Sequence, residues 1–153
     1  MDSWNEGYVT EIDYQYGYFK ELNPLRMQLA LLLQGIQAPE VQTACELGIG
    51  QGMSTNLHAC ASSVDWYGTD FNPSHIVFAQ KFAKDMGSPV HLYNDSFEEF
   101  LKRTDLPEFD YIALHGVWSW ISDANRQHIV DFIQKKLKVG GVLYISYNTY
   151  PGW

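Results

Sequence analysis

The sequence predicts an α/β domain of the doubly wound, Rossmann-like type: a mainly parallel sheet with helices on both faces, ending after its fifth strand. Three observations predict it. Short apolar runs alternate with segments of helical periodicity, as a parallel sheet covered on both faces requires. A glycine-rich stretch, ELGIGQG, follows the first run and opens a helix. No internal repeat or low-complexity linker interrupts the 153 residues, a length that suits one ordinary domain.

The elements follow in order. After a tyrosine-rich opening, residues 24–36 (PLRMQLALLLQGI) read as a helix, with Pro24 suited to its first turn and Gly35 near its stop. Val41 to Leu47 is the first strand, and the glycines after it lead into a helix through Leu57 and Ala61. Val64 to Thr69 is the second strand. Asn72-Pro73 is a cap with a first-turn proline, opening a helix that places Phe78, Ala79, Phe82, Ala83 and Met86 on one side until Gly87 stops it. Val90 to Tyr93 is a short third strand, Ser96 to Arg103 a short helix, and Phe109 to Leu114 the fourth strand. Ser122 or Asp123 caps a helix that turns Ile129, Phe132, Ile133 and Leu137 inward and ends at Gly140-Gly141. Val142 to Tyr147 is the fifth strand. Residues 1–40 are expected to form an aromatic segment and helix lying as a lid over the site, and residues 41–153 the core.

Composition narrows the function. Formal net charge is −8, with 18 acidic against 10 basic residues and no basic run, which argues against a surface for the nucleic-acid backbone. The acidic amino terminus lacks the basic start and apolar core of a signal peptide. The apolar run Leu29 to Leu33 is far too short to cross a bilayer. Cys45 and Cys60 have no metal-type spacing and read as free thiols in a reducing cytoplasm. His58, His75, His91 and His128 lack companion ligands, so no metal site is expected.

The glycine stretch carries the chemistry. Gly48, Gly50 and Gly52 let the backbone turn sharply and approach a ligand with no side chain between, and the next helix aims free amides at the same place. Twenty residues after Gly50 the second strand ends at Asp70, a carboxylate able to accept both hydroxyls of a ribose, beside the flat face of Phe71. A dinucleotide site needs a third glycine where Met53 stands. Glu46, just before the loop, would repel a pyrophosphate yet suits an ammonium. A ligand with adenosine at one end and an amino-acid moiety at the other, such as S-adenosylmethionine, satisfies both carboxylates; a nicotinamide oxidoreductase does not.

ELGIGQG after the first strand, Asp70 after the second and Asp95-Ser96 after the third together resemble the class I S-adenosylmethionine-dependent methyltransferases. FDYIALHGVWSWIS and GGVLYISYNTYPGW resemble more narrowly a bacterial subgroup in which this catalytic domain precedes a methyltransferase regulatory domain, and which includes rickettsial protein-lysine methyltransferases. The resemblance runs from about Tyr14 to Trp153. It implies that Gly48, Ile49 and Gly50, within the loop that Gly52 closes, line the methionine part of the cofactor and that Glu46 holds its amino group. Asp70 would bind the ribose, Phe71 flank the adenine, Asp95 and Ser96 meet the adenine edge, and backbone at His115 and Gly116 close the site. The product would be S-adenosylhomocysteine. Two departures stand out. The class I sheet carries two further strands where this sequence stops, so a fragment of a longer protein is expected. The fourth strand also lacks the Asp/Asn-Pro-Pro-aromatic motif of many nucleic-base and amide N-methyltransferases, which favours a protein side chain or small molecule as acceptor.

The aromatic strand exits read as the acceptor side. Trp118, Trp120, Tyr147 and Tyr150 are expected to face a sulfonium or substrate ammonium, an attraction of roughly 0.5–2 kcal/mol each; the competing reading makes both tryptophans anchors for the following helix. His115 is the imidazole placed to act as base. Tyr14, Tyr16 and Tyr18 alternate in the opening, from which Tyr18 is the candidate to reach the sulfonium edge, and Arg26 to pair with the methionine carboxylate. The alternative to an enzyme is a module that binds the cofactor without catalysing transfer by itself.

Overall fold

The computed structural model describes residues 16–149. Tyr14 and Tyr150, both expected at the site, lie outside the described residues. A 3-10 turn, Lys20–Leu22, leads into α1 (Pro24–Leu33). There follow β1 (Thr43–Leu47), α2 (Met53–Ala61), β2 (Asp65–Thr69), α3 (Pro73–Met86), β3 (His91–Tyr93), α4 (Phe97–Lys102) and β4 (Phe109–Leu114). A second 3-10 turn, Trp118–Trp120, precedes α5 (Asp123–Lys136) and β5 (Leu137–Ile145). The strands form one sheet in the order β3-β2-β1-β4-β5, every neighbouring pair parallel. The chain builds outward from β1 to β3, then crosses to β4, so the order reverses between β1 and β4. In sheets of this kind that crevice is where ligands bind.

The helix ends are set by local chemistry. Asn72 accepts from the amide of Ser74, with Pro73 in the first turn, and Gly87 ends α3 in the left-handed region at φ 67°. Ser122, not Asp123, caps α5, its hydroxyl accepting from the Asn125 amide. Ser96 and Glu99 make a reciprocal capping box on α4.

The core has two main layers. Cys45, Leu47, Ile112 and Leu114 face Phe97, Phe100, Ile129 and Phe132 of α4 and α5. On the opposite side Ala44, Trp66, Tyr111 and Ala113 pack with Ala59 and the fully buried Leu22. Leu22 thereby anchors the amino-terminal segment to the sheet. On α3 the buried residues are Ile76 and Ala79, whereas Met86, expected inward, is exposed at the last turn.

β5 begins five residues before the expected Val142. The Gly140-Gly141 pair does not stop α5; it lies in an irregular stretch of β5 between the pairs Phe109↔Leu137 and Tyr111↔Val142, with Gly140 at φ 85°. Lys138 reaches Asp110 at 2.9 Å and holds this stretch to β4. Among the described residues no helix is long and apolar enough to cross a membrane.

Gly68 of β2 is buried, and a Cβ there would stand 2.6 Å from Cγ2 of Ile49. Gly68→Ala is therefore expected to cost about 1–3 kcal/mol through overpacking. A urea denaturation curve checks it: the midpoint falls while the slope stays constant.

Candidate functional site

The loop after β1 owes its shape to β2. The amides of Gly48 and Ile49 both donate to the Thr69 carbonyl, at 2.9 and 3.1 Å. The next amide, Gly50, donates to Oδ2 of Asp70 at 2.8 Å. Gly48 lies at φ 77°, and a Cβ on it would meet Val117 at 2.6 Å; one on Gly52, at φ 66°, would meet Ala79 at 2.8 Å. Only glycine satisfies both the backbone angle and the space at these two positions.

A cavity of about 260 Å³ opens over this loop, walled by Glu46, Gly48 to Ser54, His115 and Gly116, with Gly17 and Phe19 on its far side. The segment carrying Gly17 and Phe19 is tied down at several points. The amide of Phe19 donates to Ser54 at 2.8 Å, Ser54 donates to the Gly17 carbonyl, and His58 bonds the backbone of Phe19. The Phe19 ring lies on His115 with centroids 4.4 Å apart, and Tyr16 meets Phe78 of α3 edge-on at 5.2 Å. Residues 16–19 thus run from α3 across α2 to the end of β4, over the cavity.

Glu46 is 3% exposed and hydrogen-bonded by the Thr55 hydroxyl. Burial, with Asp70 nearby, pushes its carboxyl up to about 8, against the pull of Thr55. At neutral pH it is mostly protonated while no cation faces it. Oε1 of Gln51, also in the cavity wall, is buried without a hydrogen-bond partner among the described residues. An ionisable carboxyl, an unpaired acceptor and three glycines whose backbone carries no side chain make a fitting seat for a ligand's ammonium and the chain beside it. Burial holds His115 below the ordinary histidine value, with Glu21 opposing, so its ring is neutral at pH 7.

Of the residues expected from sequence at the cofactor, Glu46, Gly48, Ile49, Gly50, Gly52, His115 and Gly116 come together around this cavity. Asp70 stands just behind the loop, 6% exposed. It accepts from Gly50 and Asn72 amides and faces Nδ1 of His75 at 3.2 Å. A carboxylate has about four lone-pair sites, so little is left for a ribose to share. Phe71 is half-buried at the exit of β2. Asp95 is gripped by Nε and Nη2 of Arg103, whose guanidinium lies over Tyr93 at 4.3 Å. The Ser96 hydroxyl is engaged in the α4 cap.

Among the described residues Trp118, Trp120 and Tyr147 do not line the cavity. Trp118 packs into the core layer beneath α5, with Arg126 donating to its carbonyl, and Trp120 is half-buried in the same 3-10 turn. It is Val117, ahead of both, that touches the loop. Tyr147 is 62% exposed. Tyr18 lies against His58 rather than in the cavity wall, and Arg26 is exposed on α1. The sequence reading missed Gly17, Phe19, Gln51, Met53 and Ser54. For the first two the signal was the aromatic opening; for the others, their place within or just after the glycines. Among the described residues no three His, Cys, Asp or Glu side chains are grouped to hold a metal ion.

Comparison with known proteins places this geometry. Residues 44–141 match the family model described as "Methyltransferase domain". An uncharacterized protein of Synechocystis, sll1526, is 53% identical over 99% of the chain, and RP789 of Rickettsia prowazekii is 33% identical over 94%. The chain spans 31% and 26% of their respective lengths. The structure of PKMT2 from Rickettsia typhi in complex with AdoHcy superposes with a TM-score of 0.81 at 27% identity, over 92% of this chain and 28% of that one. The chain belongs to the methyltransferase-domain family and has the class I S-adenosylmethionine-dependent methyltransferase fold.

An ammonium beside Glu46 would require the carboxylate; if Glu46 holds the amino group of S-adenosylhomocysteine, binding below pH 8 expels a proton. Affinity is expected to climb between pH 6 and pH 8, by up to about tenfold per unit, and to level off above. Calorimetry in buffers of differing ionisation enthalpy reads the proton directly, and Glu46→Gln removes both the release and the slope.

Proposed function

We propose that this domain transfers the methyl group of S-adenosylmethionine to a protein side chain or small-molecule acceptor, with His115 taking the acceptor's proton. What carries the reading is one cavity whose wall holds Glu46, the glycine loop and a neutral imidazole. When bound, S-adenosylmethionine supplies a methyl group already activated on a sulfonium. The task left to the protein is to position and to exclude water. Glu46 and Gln51 hold the amino end, and the bare loop backbone lies along the chain. Asp70 meets the ribose with what remains of its acceptor capacity, Phe71 flanks the adenine, and Asp95, steadied by Arg103, faces its edge. Residues 16–19 form the lid, and Phe19 keeps water from the face of His115. The complex of PKMT2 with AdoHcy supports the same ligand here. A base at His115 matters for an acceptor that arrives as an ammonium or a hydroxyl.

Calorimetric titration of this chain with S-adenosylhomocysteine, with NAD for comparison, tests the donor. Micromolar binding of the first and none of the second is expected, with loss in Asp70→Ala. A folded chain that prefers NAD, or binds neither, overturns the reading. For the base, His115→Gln should lower the release of S-adenosylhomocysteine over a panel of amines, alcohols and basic peptides by about 10²–10⁴-fold, more than it weakens donor binding.

A further inference from the structure

Glu46 and Gly68 are opposite one another in the β1–β2 register, one bearing a carboxyl and the other no side chain. Thr55, the third residue of α2, meets both. Its Cγ2 lies 3.5 Å from where a Cβ on Gly68 would stand, so the bare position gives the methyl its room. Its hydroxyl is hydrogen-bonded to Oε2 of Glu46. Threonine hydroxyls inside helices commonly turn back on the carbonyl four residues earlier; here the partner is on β1. Thr55 is 0% exposed and stands outside the cavity wall that Glu46 helps to form, so it reaches the site through that carboxyl. The titratable groups around Glu46 are Asp70 at the end of β2, Cys45 on β1, Tyr111 on β4 and, across the cavity, His115. Residues 17–19, on the far side, carry no carboxylate or ammonium. Burial and Asp70 favour the protonated acid, and the Thr55 hydroxyl opposes them.

We propose that Thr55 is a positioning residue for Glu46: its hydroxyl holds Oε2 and steadies the carboxylate, leaving Oε1 to receive the ligand's ammonium. This rests on the reading that the cavity takes the amino end of S-adenosylmethionine. An ionised carboxylate has no proton to give, so when Glu46 is charged the hydroxyl must be the donor. A hydrogen bond to an ionised group is roughly twice as strong as one between neutral groups. Removing the hydroxyl therefore disfavours the anion more than the acid. Where Glu46 is already ionised in the free protein, that loss falls on free and bound forms alike and cancels from the affinity. Where Glu46 is protonated in the free protein, only the bound form suffers it. The weakening must then grow as pH falls, and vanish as pH rises past the titration of Glu46 in the variant. A residue that only packed the site would weaken binding equally at every pH.

The test is a set of calorimetric titrations of the wild type, Thr55→Val, Thr55→Ala and Thr55→Ser between pH 6 and pH 10. The ligands are S-adenosylhomocysteine and 5′-methylthioadenosine, which keeps the nucleoside and the thioether but has no ammonium. The ratio of wild-type to variant affinity cancels the titration of the ligand's own amine. For S-adenosylhomocysteine that ratio should be about tenfold or more at pH 6 in Thr55→Val and Thr55→Ala, and approach one at the top of the range. Thr55→Ser, which keeps the hydroxyl, should stay near the wild type, and 5′-methylthioadenosine should be indifferent to all three. Without any ligand, the ¹³C resonance of the Glu46 carboxyl, assigned by its loss in Glu46→Gln, should titrate at higher pH in the two variants that lack the hydroxyl. Should Thr55→Val fail to fold, Thr55→Ala carries the comparison. A ratio that does not change with pH, or a Glu46 titration that does not move, overturns the proposal and leaves the donor reading standing. A wild type that binds neither ligand, or binds both equally, overturns the reading of the amino end and the proposal with it.

Discussion

One carboxylate organises the top of the sheet. Asp70 takes the Gly50 amide with one oxygen and the Asn72 amide with the other, so the turn after β1 and the turn after β2 share a single anion. With the paired amides of Gly48 and Ile49 on Thr69, it sets the direction in which α2 leaves the sheet. A second buried carboxyl, Glu46, lies close by. Two like charges at such proximity in a poorly solvated place are costly, and the one left without backbone amides yields by keeping its proton. The site is thus built around an imbalance that an incoming cation would relieve. In the proposed reading the same group also recognises part of the ligand, so structure and recognition would compete for its lone pairs.

The amino-terminal segment completes what the sheet begins. Leu22 is buried against Ala44 and Tyr111, and the residues before it are stitched to α2 through Ser54 and His58. With the register set by that anchor, Phe19 falls on His115. A ring from the start of the chain thereby controls the solvation of an imidazole at the end of β4, and the polar side of that imidazole is left to β5. Three separate parts of the sequence meet on one side chain.

Much of this was legible in the residues. Alternation of apolar runs located all five strands; the loop and Glu46 stand together where the glycine spacing put them, and His115, expected only from the resemblance, lines the same cavity. Local rules served where the cause was local: Asn72, Gly87 and Ser122 act within their own turns. They misled at Gly140-Gly141, where two glycines signal a helix stop but serve an irregularity in a strand whose cause, pairing to Asp110 and Tyr111, lies on β4. For Trp118 the aromatic content did not choose between the acceptor side and the anchor reading; the structure packs it against the core layer of α4 and α5. Phe19 was missed because its partner is nearly a hundred positions away. Arg103 on Asp95 was missed because the pair spans α4, from just before its N-cap to its C-cap.

Ile49 fills space that two glycines vacate. Its side chain lies where a Cβ on Gly68 or on Gly52 would stand, 2.6 and 3.2 Å away, while its own backbone joins the loop to Thr69 beside Gly48. These positions belong to a turn, a strand and a helix cap, yet they divide one volume. Their histories are therefore joined: a larger residue at 68 is tolerable only in a background where 49 has already shrunk, whereas 52 is closed to any such exchange by its backbone angle. Across relatives of this domain, positions 49 and 68 should vary as a pair whose combined bulk is conserved, and a single substitution grafted from one lineage into another should fail where the double exchange succeeds.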